Sequence, residues 1–202
     1  EGQRLLESTD SAAAAALFRC AASLDPEERW HRIHLGQALG RTGDFGAALA
    51  EYRAVLVRFP EDEWTGGLMD AVYQDRGDRA GCAEEWRQAA AERPLSAMAH
   101  RRLGAALLAL GELEASGQSL EKALEISPGH PETVACLHAL RAARGEEGAA
   151  RAFLDGMRAA GPEERKTAAG LWGRAGEGLL RSGDGARAAA LLRGAEIGRA
   201  SC

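Results

Sequence analysis

Trp30, Trp64 and Met98 follow one another at intervals of 34 residues, and Arg101 and Arg102 come soon after the last of them. Side chains of these types serve recognition. Large apolar groups dominate the energetics of protein contacts, and a guanidinium fork grips a carboxylate at two points. The residues that could make or break bonds are placed otherwise. His31 and His34 lie three apart, which suits a metal on a helix face, but no carboxylate or further histidine falls at helical spacing to complete a site. Surface or groove histidines are expected, with no metal or cofactor. Cys20, Cys82, Cys136 and Cys202 form no CxxC pair and read as a reduced set, with Cys82 explained by packing. The sequence holds no P-loop, dinucleotide fingerprint, GxSxG elbow or HExxH pair. Gly173, Gly176 and Gly178 would resemble a phosphate loop only after a strand, and none is predicted, so their expected role is to let two helices approach. Catalysis is not expected within this span, and a catalytic domain attached beyond either end is compatible with it.

The elements that must carry these side chains are periodic. Pro26, Pro60, Pro94, Pro128 and Pro162 repeat the 34-residue interval, so the chain is one unit copied along its length. Such a period marks an array in which each unit leaves an apolar face open and buries it on the next. Gly43, Gly77, Gly111 and Gly145 each precede a proline by 17 residues, Gly183 is their equivalent near the end, and an acid follows every one: Asp44, Asp78, Glu112, Glu146 and Asp184. Glycine takes the left-handed turn that closes one helix, and the acid favours the positive end of the next. Two helices joined by a tight turn are predicted per unit. Apolar residues at steps of three and four agree: Leu35, Gly36 and Leu39 before one turn with Ala48, Tyr52 and Val55 after it, then Met69 and Tyr73 with Cys82, Trp86 and Ala89, then Leu103, Gly104 and Leu107 with Ser116, Leu120 and Ala123. Small residues alternate with large ones because two helices approach closely only where one side chain is short.

This pattern resembles the tetratricopeptide repeat family, whose 34 positions run tryptophan, leucine-glycine, tyrosine, alanine, phenylalanine, alanine and proline. The resemblance covers nearly the whole chain. It implies an all-α, right-handed superhelical solenoid of antiparallel helix pairs, about five and a half repeats in a single domain over residues 1–202. A partial copy takes 1–28, with Ala14, Phe18, Ala21 and Pro26. Full copies take 29–62, 63–96, 97–130 and 131–164. The last, 165–202, is offset by about four residues, with Trp172, Gly176, Leu179, Gly183, Ala188, Leu192 and Ala195 on pattern. Some positions depart from the family. Its fourth-place tryptophan is Arg32, Gly66, His100 and Val134 here, and the small eighth residue becomes Asp70 and His138, so those copies should pack less tightly.

If places 4, 7, 8 and 11 of a first helix face its partner, places 2, 5, 6 and 9 lie about 200° around and face away. In the family that outward face lines an inner groove. The resemblance therefore implies a groove of Trp30, Ile33, His34 and Gln37 from the second copy, Trp64, Gly67, Leu68 and Ala71 from the third, and Met98, Arg101, Arg102 and Ala105 from the fourth. The fifth copy is bland, with Glu132, Ala135, Cys136 and Ala139. Stacking would set Trp30, Trp64 and Met98 in one column, which either anchors a partner or covers helix starts that lack the tryptophan two places on. The implied function is a protein-interaction scaffold or adaptor holding a peptide or protein segment, apolar with acidic groups, in a concave groove. The alternatives are a targeting or assembly module of a larger bacterial enzyme, such as a repeat-bearing sulfotransferase or glycosyltransferase, and a self-assembling scaffold that forms homo-oligomers. The family's carboxylate clamp for chaperone tails needs lysine and asparagine, and this chain contains no asparagine.

The rest of the composition bounds the class. A formal net charge of −5 and the absence of a basic stripe argue against a nucleic-acid partner. The apolar run from Ala12 to Phe18 is far below the roughly twenty residues a membrane helix needs. A soluble, cytoplasmic protein is expected, with the bacterial periplasm as the alternative. Abundant alanine, glycine and arginine, with Lys122 and Lys166 the only lysines, fit a GC-rich bacterial genome. Because the sequence opens on Glu1 and ends on Cys202 without an evident polar cap, it is expected to be a piece of a longer polypeptide.

Overall fold

Gly43, Gly77, Gly111, Gly145 and Gly183 all adopt positive φ, between 65° and 87°, a region other residues enter only at a cost. The amide of the acid after each closes onto a carbonyl of the preceding helix: Asp44 to Leu39, Asp78 to Tyr73, Glu112 to Leu107 and Glu146 to Arg141 at 3.0 Å, and Asp184 to Leu179 at 2.9 Å. These are Schellman closures, and they satisfy carbonyls that a helix end would otherwise leave bare. Two of the acids also start the following helix, the Asp44 carboxylate accepting from the Ala47 amide and that of Asp184 from the Arg187 amide, each at 3.1 Å. Glycine followed by acid is thus a stop in all five copies and a side-chain cap at Asp44 and Asp184, whereas Glu112 makes no such bond.

The computed structural model describes residues 10–146, 148, 149, 152, 155, 161–181 and 183–200. Among them are ten helices and no strand: α1 (Ser11–Leu24), α2 (Arg29–Arg41), α3 (Phe45–Arg58), α4 (Glu63–Asp75), α5 (Arg79–Glu92), α6 (Ala97–Leu110), α7 (Leu113–Ile126), α8 (Pro131–Ala143), α9 (Pro162–Arg181) and α10 (Gly185–Ala200). No helix among the described residues is long and apolar enough to cross a membrane. The chain forms two compact units, Glu1–Asp78 and Arg79–Cys202.

In the first unit α2 packs on α1 and α3, and α4 packs on α3 and touches α2. Gly36 sets the approach of α2 to α3, since a Cβ there would collide with the Tyr52 ring. Around that contact Leu35, Leu39, Val55, Leu56 and Met69 are buried. Each such side chain contributes about 1.5–3 kcal/mol through removal from water.

In the second unit the α6–α7 and α9–α10 hairpins use the same device. A Cβ on Gly104 would lie 2.6 Å from Leu120 Cγ, and one on Gly176 would lie 2.8 Å from Leu192 Cγ. The Ser116 hydroxyl donates to the Gly104 carbonyl at 2.8 Å, so the small polar residue of that copy is satisfied inside the hairpin. The offset of the last copy has a structural cause. Helix α9 spans 20 residues against 13 in α2, α4 and α8, taking in Pro162 as its first residue and running on past the usual stopping place before Gly183 closes it. Its length lets it pack on α6 and α8 as well as on α10.

His138 on α8, where the family has a small residue, is half-buried, and its Nδ1 is buried with no hydrogen-bond partner among the described residues. Burial first, and the Arg141 charge second, hold its imidazole below the ordinary histidine range. The unfolded chain therefore binds the proton more readily. Stability is full above the ordinary histidine pKa and is lost as pH falls through it toward the folded value. Urea midpoints at about pH 8 and about pH 5 should converge in His138→Ala relative to the unsubstituted chain. An unchanged gap would assign the acid sensitivity elsewhere.

Candidate peptide-binding surface

Trp30 and Trp64 sit in the first turns of α2 and α4, and each helix start is built from acids. The Glu28 carboxylate accepts from the Trp30 amide at 3.1 Å, and that of Asp62 accepts from the Thr65 amide at 3.0 Å. Arg29 ties the two starts together. Its guanidinium pairs with the Asp62 carboxylate at 3.0 Å while lying 5.1 Å from the Trp30 ring centroid and 5.3 Å from that of Phe59. A guanidinium over an aromatic face is worth about 0.5–1 kcal/mol where solvent reaches it. Trp30 also stacks on His34, with centroids 6.1 Å apart and planes 28° from parallel. His34 in turn meets Phe18 of α1 at 5.0 Å and places Nδ1 3.0 Å from Gln37 Oε1. Trp30 thus touches both Arg29 and His34 yet remains 41% exposed, and Trp64 is 59% exposed. Beside them Gly67 is exposed, while His34, Gln37 and Leu68 are half-buried.

Ala71 is exposed too, but further residues expected in a groove lie differently. Ile33 is fully buried, because α2 covers α1 as well as α3 and its apolar arc is wider than one seam. In the second unit Met98 and Arg101 are buried and Arg102 is half-buried. Helix α9 packs on α6 and α8, and its Trp172, Ala175 and Leu179 share one apolar cluster with Ala135, Cys136 and Ala139 of α8, against which Ala105 of α6 also packs. Gly178 permits this approach, since a Cβ there would collide with the Ala109 carbonyl of α6, and Arg79 Nη2 meets Glu177 at 2.7 Å at the edge. At Ala105, Ala135, Cys136 and Ala139 the face expected to be an open groove is a helix–helix interface. Arg101 does grip a carboxylate, but one from its own chain, donating from Nε to Glu132 Oε2 at 3.0 Å. Arg102 lies 5.5 Å from the Trp86 ring centroid.

Cys136 is part of the covered face, and burial first, with the nearby Glu132 charge second, pushes its thiol up to about 12. Cys20 is exposed and Cys82 partly so, neither of them in a disulfide, and Cys202 lies outside the described residues. Among the described residues no three His, Cys, Asp or Glu side chains gather as metal ligands. Two features of the site are not marked by any motif. Arg29 and Asp62 sit near equivalent helix starts of successive copies, so the repeat interval already placed them together. The covering helix left no local mark: Ala105, Ala135 and Ala139 suit a crossing helix and an open groove equally.

A family model described as tetratricopeptide repeat matches residues 1–63 and 72–131. Among solved structures, a tetratricopeptide repeat protein from Parabacteroides merdae ATCC 43184 aligns over 97% of this chain and 90% of its own, with a TM-score of 0.56 at 16% identity. Two structures of MamA align with TM-scores of 0.46 and 0.44 at 15% and 19% identity, over 90% and 83% of this chain and 90% and 95% of theirs. At such identities the likeness concerns the fold. A comparison with curated proteins finds no match.

Proposed function

This chain belongs to the tetratricopeptide repeat family, and from that premise we propose that it is a protein-interaction scaffold whose α2–α4 surface receives a segment of another polypeptide. The observation that carries the reading is the exposure of Trp30 and Trp64 at equivalent places of successive copies within one unit. Large aromatic faces left in water are uncommon without a use, and they supply much contact area at little entropic cost. Trp30 is already fixed by Arg29 and His34, so less order has to be imposed when a partner arrives. Gln37 and Leu68 continue the surface beside the two rings. The reading assigns this span no reaction.

The test is the double substitution Trp30→Ala/Trp64→Ala. Hot-spot tryptophans cost about 2 kcal/mol or more each on truncation, so affinity for the partner should fall at least about thirty-fold while helicity by circular dichroism is kept. Undiminished affinity would mean that the rings merely cover their own helix starts.

A further inference from the structure

The charge of the chain is unevenly divided. Residues 1–78 carry fourteen Asp and Glu against eight Lys and Arg, whereas 79–202 carry sixteen against seventeen. The net negative charge therefore resides in the unit that exposes the tryptophans. Acids crowd next to the rings in sequence: Glu27 and Glu28 precede Trp30, and Glu61, Asp62 and Glu63 precede Trp64. Three arginines there are paired within the unit, Arg29 to Asp62, Arg32 to Glu51 and Arg58 to Glu27, and the unit as a whole keeps six negative charges in excess, fourteen against eight. The chain also displays what such a surface binds. Arg29 lies against the rings of Trp30 and Phe59 with the Asp62 carboxylate beside it, a guanidinium held by aromatic faces and an acid together.

Resting on the binding role proposed above, we infer that the occupant of the α2–α4 surface is a basic segment, with apolar residues against the tryptophans and lysine or arginine toward the acids. An acidic partner loses its grounds, because Arg101 is buried on Glu132 and Arg102 lies over Trp86. A negative surface steers cations to it and raises the rate of encounter, while the rings retain what arrives.

Selection from a random-peptide display library against the full chain, run in parallel on Trp30→Ala/Trp64→Ala, tests this. Peptides rich in arginine or lysine with apolar neighbours should be enriched on the unsubstituted chain and lost on the double variant. Their affinity should weaken roughly ten-fold between low and high salt and about five-fold in Glu61→Gln/Glu63→Gln. Enrichment of neutral or acidic peptides that still need the tryptophans would overturn the basic occupant and leave the binding surface standing. Basic peptides that bind the double variant equally well would overturn the surface itself, reducing the attraction to a diffuse field. No enrichment over the bare support would overturn both.

Discussion

Trp172→Ala is expected to destabilise the second unit by about 3–5 kcal/mol, the upper range for a single core truncation. The indole is fully buried, and Gly194 makes room for it: a Cβ there would lie 2.7 Å from the ring's Cε3. Its Nε1 donates to the Ala135 carbonyl of α8 at 3.2 Å, so truncation removes a hydrogen bond together with the ring. Refilling the space is hard, because Ala139, Ala175, Ala188 and Ala195 in the same cluster are too short to reach into it. Against the 5–15 kcal/mol that holds a typical domain, such a loss brings the unit close to unfolding at ordinary temperature. Cys136 reports it. A buried thiol pushed up to about 12 does not form thiolate while the cluster is closed, so its alkylation requires opening. Peptide mapping should show Cys136 alkylated slowly in the unsubstituted chain and quickly in the variant, with Cys20, exposed in both, as the internal standard. Trp172→Phe should fall between them. Equal rates would show that α9 is not fastened by this ring.

That helix also marks the boundary of what the sequence made legible. The turn glycines could be read because each encodes a backbone angle that no other residue takes cheaply, and at Asp44 and Asp184 the acid that follows is a cap. The Leu35-Gly36 and Leu103-Gly104 pairs could be read because their contacts lie within a hairpin, between residues a fixed distance apart in the chain. A helix that lies across two others obeys no such interval. Ala105, Ala135 and Ala139 look bland in a sequence whether they floor an open groove or receive α9, and only packing separates the two cases. Arginine shows the same limit. Its type announces that it will grip a carboxylate, but nothing local says whether the carboxylate belongs to a partner or to the next repeat, and for Arg101 it is Glu132. Trp30 and Trp64 stood out because two large aromatics at one repeat position are conspicuous in a chain that is 5% aromatic, and both remain exposed.

The Arg101–Glu132 pair makes its own asymmetric expectation: Glu132→Ala should cost about 2 kcal/mol, whereas Arg101→Met should cost much less. Arg101 is 2% exposed and Glu132 35%, so the pair has one buried end and one wet end. Removing the carboxylate leaves a charge in the interior without that counter-ion. Water entering from the Glu132 side relieves part of the penalty, which places the cost below that of a fully enclosed pair. Removing the guanidinium instead leaves a carboxylate that water can solvate, in the first turn of α8, where the helix dipole favours an anion. Methionine has similar length and fills the vacated space without a charge to desolvate. The two substitutions lie on one interaction and cannot be additive. Arg101→Met/Glu132→Ala should be more stable than Glu132→Ala alone, a reversal that a double-mutant cycle of urea midpoints reads directly. If Arg101→Met proves the more damaging single change, the guanidinium is held by its packing and its remaining hydrogen bonds more than by the carboxylate, and Glu132 is then an ordinary helix-start acid.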